Sequence, residues 1–107
     1  MKCRYPLIKT INIEGTEAIC EASIRAGVER LIHFSSIHAF QQNPTYTALT
    51  EKRPLVKNDQ KVDPYGRTKA EAQRRVVTAC KKGINASIVH PTGIMAPMTI
   101  NQAEWAK

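Results

Sequence analysis

The sequence has no paired cysteines, no long apolar run and no cluster of glycines, and each absence removes a class of function. Cys3, Cys20 and Cys80 are odd in number, far apart and in no C-x-x-C pair, which argues against a disulfide framework and a zinc site. Reduced thiols of this kind fit a cytoplasmic protein. No apolar run approaches the roughly 18 residues of a membrane span, and "MKCRYPLIKT" lacks the uncharged apolar core of a signal peptide, so the reading is a soluble chain without a membrane partner. Gly15, Gly27, Gly66, Gly83 and Gly93 all stand alone, so no Gly-rich turn is present to bring backbone N–H groups to a pyrophosphate. Aromatic residues make up only 6% and are not interleaved with the basic ones. The formal charge of +7 suits phosphates or acidic surfaces, but that distribution argues against a nucleic-acid binder.

What remains is an ordinary globular composition, 42% apolar and 23% charged, in a chain of 107 residues. That length fits a single domain, 1–107, able to bury roughly 65% of the surface its unfolded form exposes. From Pro6 to Ala26, Ile8, Ile11, Gly15, Ala18, Ile19 and Ala22 recur at steps of three and four, which predicts an amphipathic helix with one small-residue stripe, stopped by Gly27. Gly15 inside that stripe suggests close packing against another backbone. "VERLIHFSS" follows, its "LIHF" core reading as a buried strand. Residues 41–62 are polar, contain Pro44 and Pro54 and show no period, so they read as a long loop. A second helix has its punctuation written out: Asp63 as cap, Pro64 at the first position, Lys81 and Lys82 near the end and Gly83 as stop. Ala86 to His90 reads as a second strand ended by Pro91, and a further helix is expected after Pro97. Helix, strand, loop, helix, strand is the rhythm of a parallel α/β sheet.

Chemistry concentrates at two places. Ser35 and Ser36 follow the first strand, the edge where open α/β sheets place ligands. Tyr65 and Lys69, at i and i+4, share one face of the second helix, where an ammonium favours a phenolate and makes a proton-transfer pair. Taken alone, that spacing occurs often by chance and reads first as a polar helix start, the serines as a strand-end turn and Asn12 as an exposed helix residue. His33, His38 and His90 share no metal-ligand spacing and read as packing or surface groups.

In combination the pieces resemble the extended short-chain dehydrogenase/reductase family, the NAD(P)-dependent epimerase, dehydratase and reductase group. "NIEGTEAICEA" is similar to its N-x-x-G-T helix, "GVERLIHFSS" to its G-V-x-R-hydrophobic-S-S strand, "YGRTKAEAQ" to its Y-x-x-x-K helix and "HPTGIMAP" to its R/H-P-x-x-hydrophobic-x-G-P segment, in the family's order. The wording of "SSIHAF" and "VHPTGI" is most similar to dihydroflavonol-reductase-like members, and Ala96 stands where the family usually has glycine.

The resemblance implies a partial Rossmann-like parallel sheet without the N-terminal Gly-rich βαβ unit, corresponding to the middle third of such an enzyme. It implies Tyr65 as the acid/base on a substrate hydroxyl or carbonyl. Lys69 would favour its phenolate and hydrogen-bond the nicotinamide ribose, while Ser36 would hold the substrate oxygen, with Ser35 as the other choice. Asn12, Ser35, Tyr65, Lys69 and the segment Pro91, Thr92, Gly93 and Ile94 would lie along NAD or NADP. The implied partners are a small organic or sugar-like substrate and a second copy, paired through the two helices. Reduction, epimerisation and dehydration all begin with the same tyrosine. With the phosphate turn missing, little or no activity is expected of the chain alone; a noncatalytic oligomerising module of the same ancestry is the alternative reading, and a basic nucleic-acid-binding module the third.

Overall fold

The computed structural model describes residues 5–58 and 61–94; the turn at Ala96 and the helix expected after Pro97 lie outside them. The first helical run comprises α1, Tyr5–Lys9, a wider π-helical turn over Thr10–Glu14, and α2, Gly15–Ala26. In the wide turn the Gly15 N–H reaches back five residues to the Thr10 carbonyl. Gly27 closes α2 with φ 69°, a left-handed conformation that glycine adopts without a Cβ penalty, and its N–H returns to the Ser23 and Ile24 carbonyls.

The buried residues of this run are Ile13, Cys20 and Ser23. The expected stripe turns the other way: Ile11 is 62% and Ile19 56% exposed. At about 100° per residue, Gly15, Ala18, Ile19 and Ala22 centre nearly opposite Ile13 and Cys20. Periodicity finds an apolar face, but not which of two faces meets a partner. Within the described residues of this chain, an added Cβ at Gly15 would meet only the Thr10 carbonyl oxygen at 3.6 Å, an ordinary contact.

Strand β1, Leu31–Phe34, leads through Ser35 and Ser36 into a 3₁₀ turn over Ile37–Ala39. The loop expected over 41–62 contains one isolated antiparallel bridge, Leu55 to Phe40, and the Arg74 guanidinium donates to the Val56 carbonyl. Helix α3, Pro64–Lys81, starts as its sequence predicts: Asp63 Oδ1 accepts the Gly66 N–H at 3.0 Å and Pro64 occupies the first turn. Such a cap contributes about 1 kcal/mol. The buried face of α3 is built mainly from small residues, Gly66, Thr68, Ala70, Ala72, Val76 and Ala79, which lets neighbouring backbone come close. Gly66 is the tightest case, because a Cβ there would lie 2.7 Å from the His38 carbonyl oxygen.

Strand β2, Ala86–Val89, pairs parallel with β1 in the register Leu31 to Ala86 through Phe34 to Val89. Backbone bonds extend the pairing at both ends, Leu31 N to Asn85 O and Ser35 N to Val89 O, each 2.8 Å. The inward side of the sheet carries Leu31, Ala86 and Ile88 onto Cys20, Val76, Ala79 and Ile84, so both helices share that core. A second cluster, Ala39, Val56 and Ala70, joins the 3₁₀ turn and the loop to the first half of α3.

Among the described residues nothing covers the other side of the sheet, with Ile32 57% and Phe34 58% exposed. β1 is therefore not the strand buried on both faces that "LIHF" suggested. A helix layer covers one side of two strands and leaves alternate residues outside. The architecture is α/β, a partial Rossmann-like fold with a two-stranded parallel sheet. Among the described residues no helix is long and apolar enough to cross a membrane.

Candidate active site

The carboxyl ends of β1 and β2 face the first two turns of α3, and the candidate residues gather there. Ser36 caps the 3₁₀ turn: its Oγ accepts the His38 N–H at 3.1 Å. That bond uses a lone pair and leaves the hydroxyl proton available to another acceptor. Ser35 differs. Its Oγ donates to Gln73 Oε1 at 2.8 Å, and the residue is only 3% exposed. Ser35, expected among the cofactor-facing residues, thus spends its proton inside the fold.

Tyr65 stands at the first turn of α3 and is 45% exposed, with its ring edge-on to His38 at 6.1 Å between centroids. One turn on, the Lys69 ammonium lies 5.9 Å from the Tyr65 ring centroid and donates to the Phe34 carbonyl at 3.3 Å. Lys69 is therefore anchored to the residue that precedes the two serines. Its ammonium keeps further N–H donors beyond that bond. Asn12, in the wide turn of the first helical run, donates from Nδ2 to Thr68 Oγ1 at 3.0 Å, while Thr68 back-bonds to the Pro64 and Tyr65 carbonyls. Its carboxamide nitrogen thus steadies the turn that carries Tyr65.

Pro91 accepts the Ile37 N–H at 3.3 Å, which ties the end of β2 to the 3₁₀ turn. Thr92, Gly93 and Ile94 continue as an exposed segment, Ile94 at 76%. Two of the histidines that read as packing or surface groups, His33 and His90, are partly buried in and just after the two strands. His33 is half-buried, with Nε2 lacking a hydrogen-bond partner among the described residues, and burial, then Lys69 and His90, hold its pKa below the ordinary value. His90 Nε2 lies 2.9 Å from Gln73 Oε1, and burial lowers its pKa against the opposing pull of Glu51. No group of three or more metal-ligating side chains occurs among the described residues.

Sequence reasoning missed His38, Gly66 and Gln73. Gln73 had a signal, since it continues the i, i+4 row from Tyr65 and Lys69. Gly66 had none, because its reason is a carbonyl 28 residues earlier in the chain.

A model of the NAD dependent epimerase/dehydratase family matches residues 6–104. The chain belongs to this family. Among curated proteins, it is 31% identical over 87 residues to "Sterol demethylase protein B" of Methylococcus capsulatus, a match covering 81% of this chain and 26% of that protein. It is 31% identical over 98 residues to "Short-chain dehydrogenase/reductase family 42E member 1" of Bos taurus, covering 85% of this chain and 25% of that one. The protein of the same name in Xenopus laevis is 36% identical over 70 residues, 65% of this chain and 18% of the relative. The chain spans about a quarter of the length of the first two of these relatives. No solved structure matches it.

Proposed function

We propose that Ser36, Tyr65 and Lys69 form the proton-transfer centre of a NAD(P)-dependent oxidoreductase-type domain acting on a carbonyl or hydroxyl of a small organic substrate. One observation carries this reading: the Lys69 ammonium, held on the Phe34 carbonyl, sits 5.9 Å from the exposed Tyr65 ring at the strand end that continues into Ser36. In the oxidative direction the Tyr65 oxygen, as phenolate, takes the proton from the substrate hydroxyl. The Ser36 O–H donates to the same substrate oxygen and holds it in place. Lys69 places a positive charge beside the Tyr65 ring.

The residues fit the nicotinamide-ribose end of a cofactor. Lys69 keeps N–H donors for ribose hydroxyls, and Pro91–Ile94 offers an exposed backbone segment beside it. The five isolated glycines offer no cradle for the pyrophosphate. When bound, a nicotinamide would supply the hydride acceptor or donor. NAD or NADP, and reduction, epimerisation or dehydration, are all compatible with this arrangement. The test is the emission of NADH or NADPH at millimolar concentration, which shifts when the nicotinamide leaves water. The expected result is a shift with the wild-type chain that Lys69→Met abolishes. An unchanged spectrum with wild type would sink binding by this chain.

A second reading, a noncatalytic oligomerising module, is favoured by the open apolar groove of about 510 Å³ lined by Ile11, Gly15, Ile19, Ile32 and Phe34. Sedimentation distinguishes it: a monomer at all concentrations removes it, while a dimer lost on Ile19→Ser or Phe34→Ser supports it.

A further inference from the structure

Behind the Tyr65–Lys69 pair, one oxygen serves two hydrogen bonds. Gln73 lies one helical turn beyond Lys69 and two beyond Tyr65 on α3. Its Oε1 accepts from Ser35 Oγ at 2.8 Å and is 2.9 Å from His90 Nε2. Phe40 packs against the His90 ring at 4.5 Å between centroids. A carboxamide oxygen can only accept, so Ser35 gives its hydroxyl proton and His90 carries a proton on Nε2. Burial works against a charged His90, which makes the Nε2–H form the neutral tautomer at pH 7; the titratable neighbours acting on that ring are Glu51 of the loop and His33 of β1.

We propose that Gln73 is the positioning residue of this site: its single carboxamide oxygen clips the ends of β1 and β2 to α3 and so sets Ser36 and the Pro91–Ile94 segment against Tyr65 and Lys69. Ser35 directly precedes Ser36, and His90 directly precedes Pro91, so fixing the first of each pair fixes the approach of the second. The backbone bonds Ser35 N to Val89 O and Ile37 N to Pro91 O join the same two strand ends to each other, yet neither reaches α3. Lys69 reaches β1 through a long flexible side chain at 3.3 Å, a looser tie than the 2.8 Å bond from Ser35. An apolar residue at 73 would leave the Ser35 hydroxyl and the His90 Nε2–H without their acceptor, and both would seek other partners. The functional meaning of the clip rests on Tyr65 and Lys69 being the proton-transfer pair; its existence does not.

The experiment is nitrogen-15 NMR on the full chain without cofactor, comparing wild type with Gln73→Met and Gln73→Glu. Wild type is expected to show His90 as the Nε2–H tautomer. Gln73→Met should move the amide signals of Ser36, Thr92 and Lys69. Gln73→Glu, whose carboxylate accepts both bonds, should return those signals toward wild type and raise the His90 titration by about one pH unit or more. A His90 found as the Nδ1–H tautomer would overturn the proposal, as would a folded Gln73→Met chain with those three amides unmoved. If Gln73→Met does not fold, the wild-type tautomer and the Gln73→Glu titration decide the matter. The His90 titration tests whether position 73 contacts the ring, and the amides of Ser36, Thr92 and Lys69 test whether that contact positions the site. Because every readout comes from the cofactor-free chain, the clip is judged separately from nicotinamide binding.

Discussion

The two faces of β1 differ sharply, one packed and the other exposed. Inward, Leu31 packs on a core with Cys20 and Val76, and the strand's end is tied to α3 through Lys69, Ser35 and Gln73. Outward, Ile32 and Phe34 stand more than half exposed beside an open groove. Four residues of one strand thus alternate between a packed core and, among the described residues, an uncovered apolar surface. The difference teaches that the chain's own packing is directed at the Tyr65–Lys69 face, so substitutions on the two faces should have unequal consequences.

The largest break comes from the inward core. Val76 is fully buried, and Val76→Asp is expected to cost more than about 4 kcal/mol and leave the chain unfolded by circular dichroism, because an unpaired carboxylate cannot be solvated there. Gly66→Ala should follow at roughly 1–3 kcal/mol in urea unfolding, since the new methyl meets the His38 carbonyl and the 3₁₀ turn must shift. Asp63→Ala removes the α3 cap and should lower stability by about 1 kcal/mol.

A gentler test uses pH. His33 and His90 have folded-state pKa values below their unfolded value of 6.5, so the unfolded state binds more protons as the solution is acidified. Their contribution is complete above about pH 6.5 and is lost as pH falls through that value toward the lower folded pKa. Thermal unfolding should therefore occur at lower temperature at pH 5 than at pH 7, with a smaller difference in His33→Gln. The smallest effect belongs to the outward face: Phe34→Ser should change monomer stability by no more than about 0.5 kcal/mol. A large loss there would mean that the groove is filled in solution and would erase the contrast between the two faces.

Much of the inward face was legible from residues alone. Asp63, Pro64 and Gly83 punctuate α3 through local backbone chemistry, and Gly27 marks the end of α2 in the same way. Tyr65 and Lys69 fall on one row because helical spacing is fixed. What could not be read depended on distant contacts. The apolar stripe of the first helix was visible, but Ile13 and Cys20 on the opposite side are the residues that found the core. "LIHF" gave the strand, while its two-sided burial required a covering layer that the described residues do not provide. The roles of Ser35 and Gln73 emerge only when the strand ends meet α3, 38 residues apart in sequence.

In the proposed function the Ser36, Tyr65 and Lys69 face receives the nicotinamide end of a cofactor. Site-resolved NMR during titration of the full chain with NADPH and then NADH tests it most directly. Signals of Ser36, Lys69, Thr92 and Gly93 are expected to move together, saturably, while those of Ile19 and Ile32 on the bare side stay still. Movement confined to the bare side, or none at all with either cofactor, would contradict it.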